Sequence, residues 1–175
     1  MTKIDPIIDT LYEMAKSFED CVLWTVRAIL ETDAKISSSF KVVHVLPLEA
    51  SLYCILPTGN STYHSQLIMG VNEVDLEAIF PNEANVKIRK DGLGEMANVI
   101  SGLIIAEDLF VSKFGYFKPS TPFFCEGAFT SRLDWSLQGK VLAFGKEIHL
   151  QFSIRSLKES LDSTVEKGTV VEAII

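Results

Sequence analysis

The 175-residue sequence predicts an α+β fold, in which a largely antiparallel β-sheet packs with long α-helices in a single domain. Three observations support this prediction. A long helical pattern fills the first 30 residues, and short β-like runs follow it. A second amphipathic helix near the middle of the chain precedes further β-like runs. Neighbouring runs are separated by short turn segments, which is typical of antiparallel hairpins.

The first helix is expected to begin at Pro6, with Asp5 as its N-cap. Proline is favoured at the first helical position, and a carboxylate can accept from the free N–H groups there. Apolar residues recur at helical spacing as far as Leu30. The β-like runs that follow are 40–48, 52–56 and 62–69. The turn residues 57–60 are expected to join the last two runs as a hairpin.

The second half of the chain predicts helices before strands. Residues 72–80 predict a short helix that ends before Pro81, and residues 91–111 predict a long one. Later strands are expected over 123–129, 141–144 and 148–154, with Gly145 and Lys146 between the last two. The tail, 156–175, is expected to form a helix followed by an apolar end.

Composition and charge limit the function. Hydrophobic residues make up 47% of the chain, no linker divides it, and residues 1–175 are therefore expected to form one domain. The net charge of −7 disfavours nucleic acids and anionic membranes as partners. No signal peptide or membrane-spanning apolar run is present, which predicts a cytoplasmic protein. The three cysteines, Cys21, Cys54 and Cys125, are expected to be buried reduced thiols.

The helix over 91–111 has an apolar and a polar face. At about 100° per residue, the predicted core face consists of Leu93, Met96, Ala97, Val99, Ile100, Leu103, Ile104 and Phe110. The opposite face is predicted to hold Asp91, Glu95 and Asn98 in one row, together with Gly94, Ser101 and Gly102. Because Glu95 and Asn98 are three residues apart, their Cβ atoms are expected about 5–6 Å from each other.

Many solvated helix faces carry such residues without any function, and Asp91 could simply favour the helix dipole. The glycines on this face favour a functional interpretation. A glycine within a helix costs about 1 kcal/mol relative to alanine. Close approach of another backbone or of a partner surface would offset this cost at Gly94 and Gly102. Ile105 and Leu109, on the same outer side, would suit a docking surface.

The residues Asp-Gly-Leu-Gly-Glu-Met-Ala-Asn-Val-Ile-Ser-Gly (91–102) resemble the phosphatase motif of the CheC, CheX and FliY family. That motif has an aspartate, a glutamate and an asparagine at the spacing of Asp91, Glu95 and Asn98. A proline follows in the next strand, and Pro122 lies one residue later than the family spacing. The likeness is strongest over 50–155, with the N-terminal helix and connector, 1–45, matching weakly. A single Glu/Asn pair resembles CheX, since CheC-like members often carry two.

The resemblance implies a phosphatase that hydrolyses the phospho-aspartate of a CheY-like receiver domain. Asn98 would position the attacking water, and Glu95 would anchor the receiver's lysine. Supporting roles would fall to Asp91, Gly94, Gly102 and Pro122. The receiver would bring its own Mg²⁺, so no cofactor or metal is expected on this chain. The family further implies a homodimer.

Other interpretations have weaker support. A non-catalytic receiver-binding or flagellar-switch scaffold of the same fold is the main alternative. Residues 92–97 match the dinucleotide-binding pattern GxGxxA, but no parallel strand ending in an acidic residue follows. The histidines His44, His64 and His149 lie in separate strand-like stretches, without the spacing of metal ligands.

Overall fold

An antiparallel sheet of seven strands organises the chain, which a computed structural model describes over residues 5–44, 48–127 and 135–157. The strands are β1 (Lys35–His44), β2 (Leu52–Gly59), β3 (Tyr63–Val71), β4 (Lys118–Pro119), β5 (Phe123–Glu126), β6 (Trp135–Ala143) and β7 (Lys146–Ser156). Their spatial order is β1-β6-β7-β3-β2-β4, and β5 also pairs with β2. Every pairing is antiparallel, which confirms the predicted α+β class.

Within the described ranges, four helices accompany the sheet: α1 (Pro6–Leu30), α2 (Leu76–Ile79), α3 (Val86–Ile105) and α4 (Asp108–Phe114). The α1 cap is confirmed, because the Asp5 carboxylate accepts from the Ile7 N–H at 2.8 Å. A 3₁₀ turn, Glu73–Asp75, leads into α2, so the predicted short helix is present. Among the described residues, no helix combines the length and apolar character that crossing a membrane requires.

The main core lies between one face of the sheet and helices α1 and α3. The two helices contact each other. Helix α1 packs on β1 and β6, whereas α3 packs on β2 and β3. The ring of Phe18 lies 4.9 Å from that of Phe40 and 5.7 Å from that of Phe152, measured between centroids, which joins α1 to the sheet. On the opposite face of the sheet, Tyr53, Ile55 and Ile68 form a smaller apolar cluster.

Several strand boundaries differ from the predicted ones. The first β-like run was expected over 40–48, but β1 spans Lys35–His44. The second strand, β2, continues through 57–59, so the hairpin turn lies at 60–62. In this turn the Asn60 side-chain oxygen accepts hydrogen bonds from the N–H groups of Thr62 and Tyr63, each at 2.9 Å. The strand predicted over 141–144 begins at Trp135, since buried polar residues such as Ser136 obscure its apolar alternation.

The long central helix also has different ends. It begins at Val86 rather than near residue 91, because the Asn85 side chain caps it by accepting from the Ile88 N–H at 3.1 Å. Helix α3 ends at Ile105, and α4 begins at Asp108 as a separate helix. The prediction of a single helix over 91–111 is therefore wrong. The first residues of α3 are exposed, so the apolar pattern did not show where the helix begins. The end of the predicted strand 123–129 and nearly all of the tail helix lie outside the described residues.

Candidate functional site on helix α3

The row of polar side chains is exposed on α3, as predicted. Asp91, Glu95 and Asn98 are all exposed to solvent. Within the part of the chain that the structure describes, none of these three side chains makes a hydrogen bond or an ion pair with another residue. Asp91 is the sixth residue of α3, so its predicted place at the helix start is wrong. The row therefore offers two carboxylates and one carboxamide that are free for an external partner.

The opposite side of α3 is tightly packed. Leu93, Met96, Ala97 and Ile100 are each 0% exposed in the main core. The Cys21 thiol on α1 also contacts the Ile100 carbonyl oxygen, at 3.9 Å. A helix held in this way fixes the positions of its outward side chains better than a loop would.

Gly94 is buried, rather than exposed as predicted. A Cβ atom added there would lie 3.4 Å from Phe124 Cζ and 3.5 Å from Pro122 Cγ. The close approach that the sequence predicted at Gly94 therefore comes from this chain's own β5 region. It also brings Pro122 next to the helix, one turn before Asn98, as a supporting residue would require.

The buried side of α3 is rotated about the helix axis by roughly 60° from the side that the sequence predicted. Ser101 was expected on the polar face but is only 2% exposed, and Leu103 was expected in the core but is 44% exposed. Small residues, Gly94 and Ser101, let neighbouring segments pack over that side of the helix. Ile105 and Leu109, which the sequence placed on the outer side, are half-buried and pack against the main core.

Gly102 lies one helical turn beyond Asn98 and is exposed. No atom comes within 4 Å of the position that a Cβ would occupy there. Unlike Gly94, this glycine has no close neighbour in the described part of the chain. The space above it is open to a partner surface.

Lys90 is a site neighbour that the sequence did not single out. Its Nζ lies 2.7 Å from Glu126 Oε1 on β5 and 3.1 Å from Glu73 Oε1 before α2. The hydrogen bond to Glu126, and to a lesser extent the one to Glu73, raises the pKa of Lys90 above its usual value. Both carboxylates are distant in sequence, so no local pattern could have predicted this cluster. Lys90 ties β5 to α3 one turn before Gly94.

The arrangement suits recognition of a macromolecule. Cavities of about 300 Å³ and 660 Å³ adjoin His149 and Glu49, and neither is lined by residues of α3. The motif residues instead lie on an open helix surface. An exposed carboxamide can both donate and accept hydrogen bonds, and a nearby carboxylate can pair with a cation. Among the described residues, no cluster of His, Cys, Asp and Glu could hold a metal ion.

Comparison with solved structures establishes the fold. The chain superimposes on the chemotaxis protein CheX from Desulfovibrio desulfuricans with a TM-score of 0.61 and 15% identity, covering 82% of this chain and 99% of that one. CheX from Vibrio vulnificus gives a TM-score of 0.60 at 14% identity, with coverage of 82% and 99%. The chain has the CheX fold. FliY from Thermotoga maritima is also similar, with a TM-score of 0.53, 10% identity and coverage of 97% and 100%.

No protein-family model and no curated protein matches the sequence. In this CheX-fold chain the two long helices, α1 and α3, contact each other on one face of the sheet. Only α3 carries a Glu/Asn pair at the motif spacing, because α1 contains no asparagine.

Proposed function

We propose that this protein accelerates hydrolysis of the phospho-aspartate of a CheY-like receiver domain. The observation that carries the proposal is the pair Glu95 and Asn98, which is exposed and unengaged on a helix whose opposite side is fixed in the core. Motif spacing and the CheX fold support the same function. Phosphoryl transfer depends mainly on positioning and electrostatics, so a surface pair of this kind is sufficient.

Asn98 would position the attacking water. Its carboxamide oxygen accepts a hydrogen bond from the water and directs it in line with the bond between phosphorus and the aspartyl oxygen. The water oxygen then bonds to phosphorus, the aspartate carboxylate leaves, and the water's proton goes to the released phosphate. A neutral amide can approach the anionic phosphoryl group without charge repulsion.

Glu95 would anchor the complex through the receiver's active-site lysine. A carboxylate is suited to that cation, and its position one turn before Asn98 places the two Cβ atoms about 5–6 Å apart. Asp91 lies on the same exposed row and would support docking. The receiver supplies Mg²⁺, so this chain needs no cofactor of its own for the proposed step.

Phosphate release from receivers tests the proposal. Receiver domains would be phosphorylated with a small phosphodonor, and dephosphorylation would be followed with wild type, Asn98→Ala and Glu95→Ala. We expect acceleration by wild type that both variants lose. Asn82→Ala, in an exposed position before α3, is the matched control and should keep full activity. Binding without acceleration by wild type would instead favour the non-catalytic scaffold.

Self-association is a second part of the proposal. Within the described sheet, β1 pairs only with β6, which leaves one edge of this ten-residue strand open to another chain. The apolar end at 170–175 lies outside the described residues. Sedimentation velocity should show dimers, and a monomer at every concentration would contradict this part.

A further inference from the structure

We propose that Phe124 on β5 is an affinity-determining contact for the receiver domain, next to but separate from the catalytic pair. This inference rests on the proposed function, because it assigns the receiver as the occupant of this surface. The Phe124 ring packs on the Gly94 backbone of α3 and still exposes 36% of its surface. Aromatic residues, phenylalanine among them, are enriched in protein interfaces, and a ring already held on one side loses little freedom when a partner covers the other.

The strand register places Phe124 on the helix side of the sheet. Phe124 is opposite Cys54, which belongs to the main core beneath α1 and α3. Phe123 is opposite Ile55, which belongs to the small cluster on the other face. Two adjacent and similarly exposed phenylalanines therefore point to opposite sides, and only Phe124 borders the motif helix.

The size of a typical protein interface places Phe124 within the area that a receiver centred on Asn98 would cover. Gly94 precedes Asn98 by four residues, a rise of about 6 Å along the helix. A specific interface buries about 800 Å² on each partner, which corresponds to a disc of roughly 16 Å radius. A receiver centred on Asn98 would therefore extend beyond Gly94 and over the ring that packs on it.

Lys90 holds β5, and with it Phe124, against α3 before the receiver binds. Its ion pair with Glu126 fixes β5 to α3, and the Gly127 N–H donates to the Ser51 carbonyl oxygen at 3.0 Å just beyond the strand. The four residues of β5 pair with β2, and these two contacts add to that pairing at the end of the strand. A surface ordered beforehand loses less entropy when the receiver docks.

Paired substitutions on β5 test the inference. Phe124→Ala and the control Phe123→Ala would be compared with wild type for binding to a receiver carrying beryllofluoride, a mimic of phospho-aspartate. Steady-state dephosphorylation by each protein would give kcat and KM. We expect Phe124→Ala to raise Kd and KM about tenfold, as loss of an anchor does, with kcat retained. Phe123→Ala should leave both near wild type, and Phe124→Leu should restore part of the affinity.

The outcomes separate this inference from the proposed function. Acceleration by wild type, together with an unchanged Kd in Phe124→Ala, would overturn the role of Phe124 and leave the phosphatase intact. Equal losses in Phe123→Ala and Phe124→Ala would show a general effect on the strand and also overturn it. A wild-type protein that neither binds nor dephosphorylates any receiver would overturn both proposals.

Discussion

Lys90 Nζ lies 2.7 Å from Glu126 Oε1, so an ion pair joins the motif helix to the strand that carries Phe124. We predict that Lys90→Met raises KM for the phosphorylated receiver several-fold and leaves kcat nearly unchanged. The pair is partly exposed, and its loss should reduce the free energy of unfolding by no more than about 1 kcal/mol. Dephosphorylation kinetics and urea unfolding would measure the two effects.

Lys16 provides the matched control for Lys90. On α1 its Nζ also pairs with two carboxylates, 2.8 Å from Asp20 and 3.4 Å from Glu19. Lys16→Met removes the same kind of cluster without a connection to β5, and KM should stay at the wild-type value. If both lysine variants raised KM equally, a general charge effect would explain the result and the positioning role of Lys90 would be rejected.

The glycines of α3 should respond differently to alanine. A Cβ at Gly92 would lie 2.8 Å from Phe80 Cε1, too close for an unshifted neighbour, whereas one at Gly102 would meet nothing within 4 Å. Gly102→Ala should therefore stabilise the fold by up to about 1 kcal/mol through helix propensity. Gly92→Ala should be destabilising in the same urea titration. A gain in stability for Gly92→Ala would contradict the close packing against Phe80.

The sequence predicted the elements of this fold better than their limits. Apolar spacing gave the long helices and the antiparallel sheet, because both bury one face and repeat at a fixed period. It placed the start of α3 too late, because the first turn after the Asn85 cap is exposed and shows no apolar stripe. Polar residues buried on the far face of the sheet, such as Ser136, similarly obscured the start of β6.

The exposed motif row was also predictable, but its surroundings were not. Glu95 and Asn98 follow from local helix geometry, and the structure places both on the outer side. Contacts that depend on the tertiary fold, such as the Lys90–Glu126 ion pair, have no local pattern. Gly94 combines a feature that the local sequence predicts with a contact that depends on the tertiary fold. The sequence predicted a close neighbour there, and only the fold identifies Pro122 and Phe124 as that neighbour.

The three cysteines should differ in reactivity. Burial raises the pKa of the Cys54 thiol to about 12 and that of Cys21 to about 11, so neither forms much thiolate at about pH 8. Cys125 is half-buried on β5. Pulsed alkylation with mass spectrometry should modify Cys125 first and protect Cys54 in the native state. In urea all three should react, and native labelling of Cys54 as fast as Cys125 would contradict its burial.

His149 should make stability depend on pH. Burial lowers the pKa of its imidazole below 6.5, and Lys140 acts in the same direction, against Glu147 and Glu49. The unfolded chain therefore binds this proton more readily than the folded one, so the stability present above pH 6.5 is lost as the pH falls towards the lower folded pKa. As the pH falls below 6.5, the free energy of unfolding should decrease more steeply for wild type than for His149→Gln.

Chemical unfolding at several pH values would measure these slopes. Exposed Asn82 supplies the control, because Asn82→Ala changes no titratable group and should keep the wild-type slope. The comparison uses slopes rather than absolute stabilities, since either substitution can change packing at every pH. A His149→Gln slope equal to that of wild type would show that this imidazole does not contribute.

The neutral amide of Asn98 leads to the sharpest prediction about the proposed mechanism. Asn98→Asp keeps the shape of the side chain and adds a negative charge beside the phosphoryl group. Two like charges about 4 Å apart repel by about 1 kcal/mol in water and by more in a partly dry interface. Asn98→Asp should therefore lose catalysis and also bind a beryllofluoride-loaded receiver about tenfold more weakly. Asn98→Ala should lose catalysis while its affinity stays close to that of wild type.

Glu95→Gln completes this comparison, because it removes a charge from the same helix face. It should raise KM, since the receiver's lysine loses its partner, while Asn98 still positions the water. Raising the salt concentration should reduce the difference between Asn98→Asp and Asn98→Ala in binding, because exposed charges are screened. If Asn98→Asp bound as tightly as wild type and still dephosphorylated the receiver, Asn98 would not lie beside the phosphoryl group, and its proposed role would be rejected.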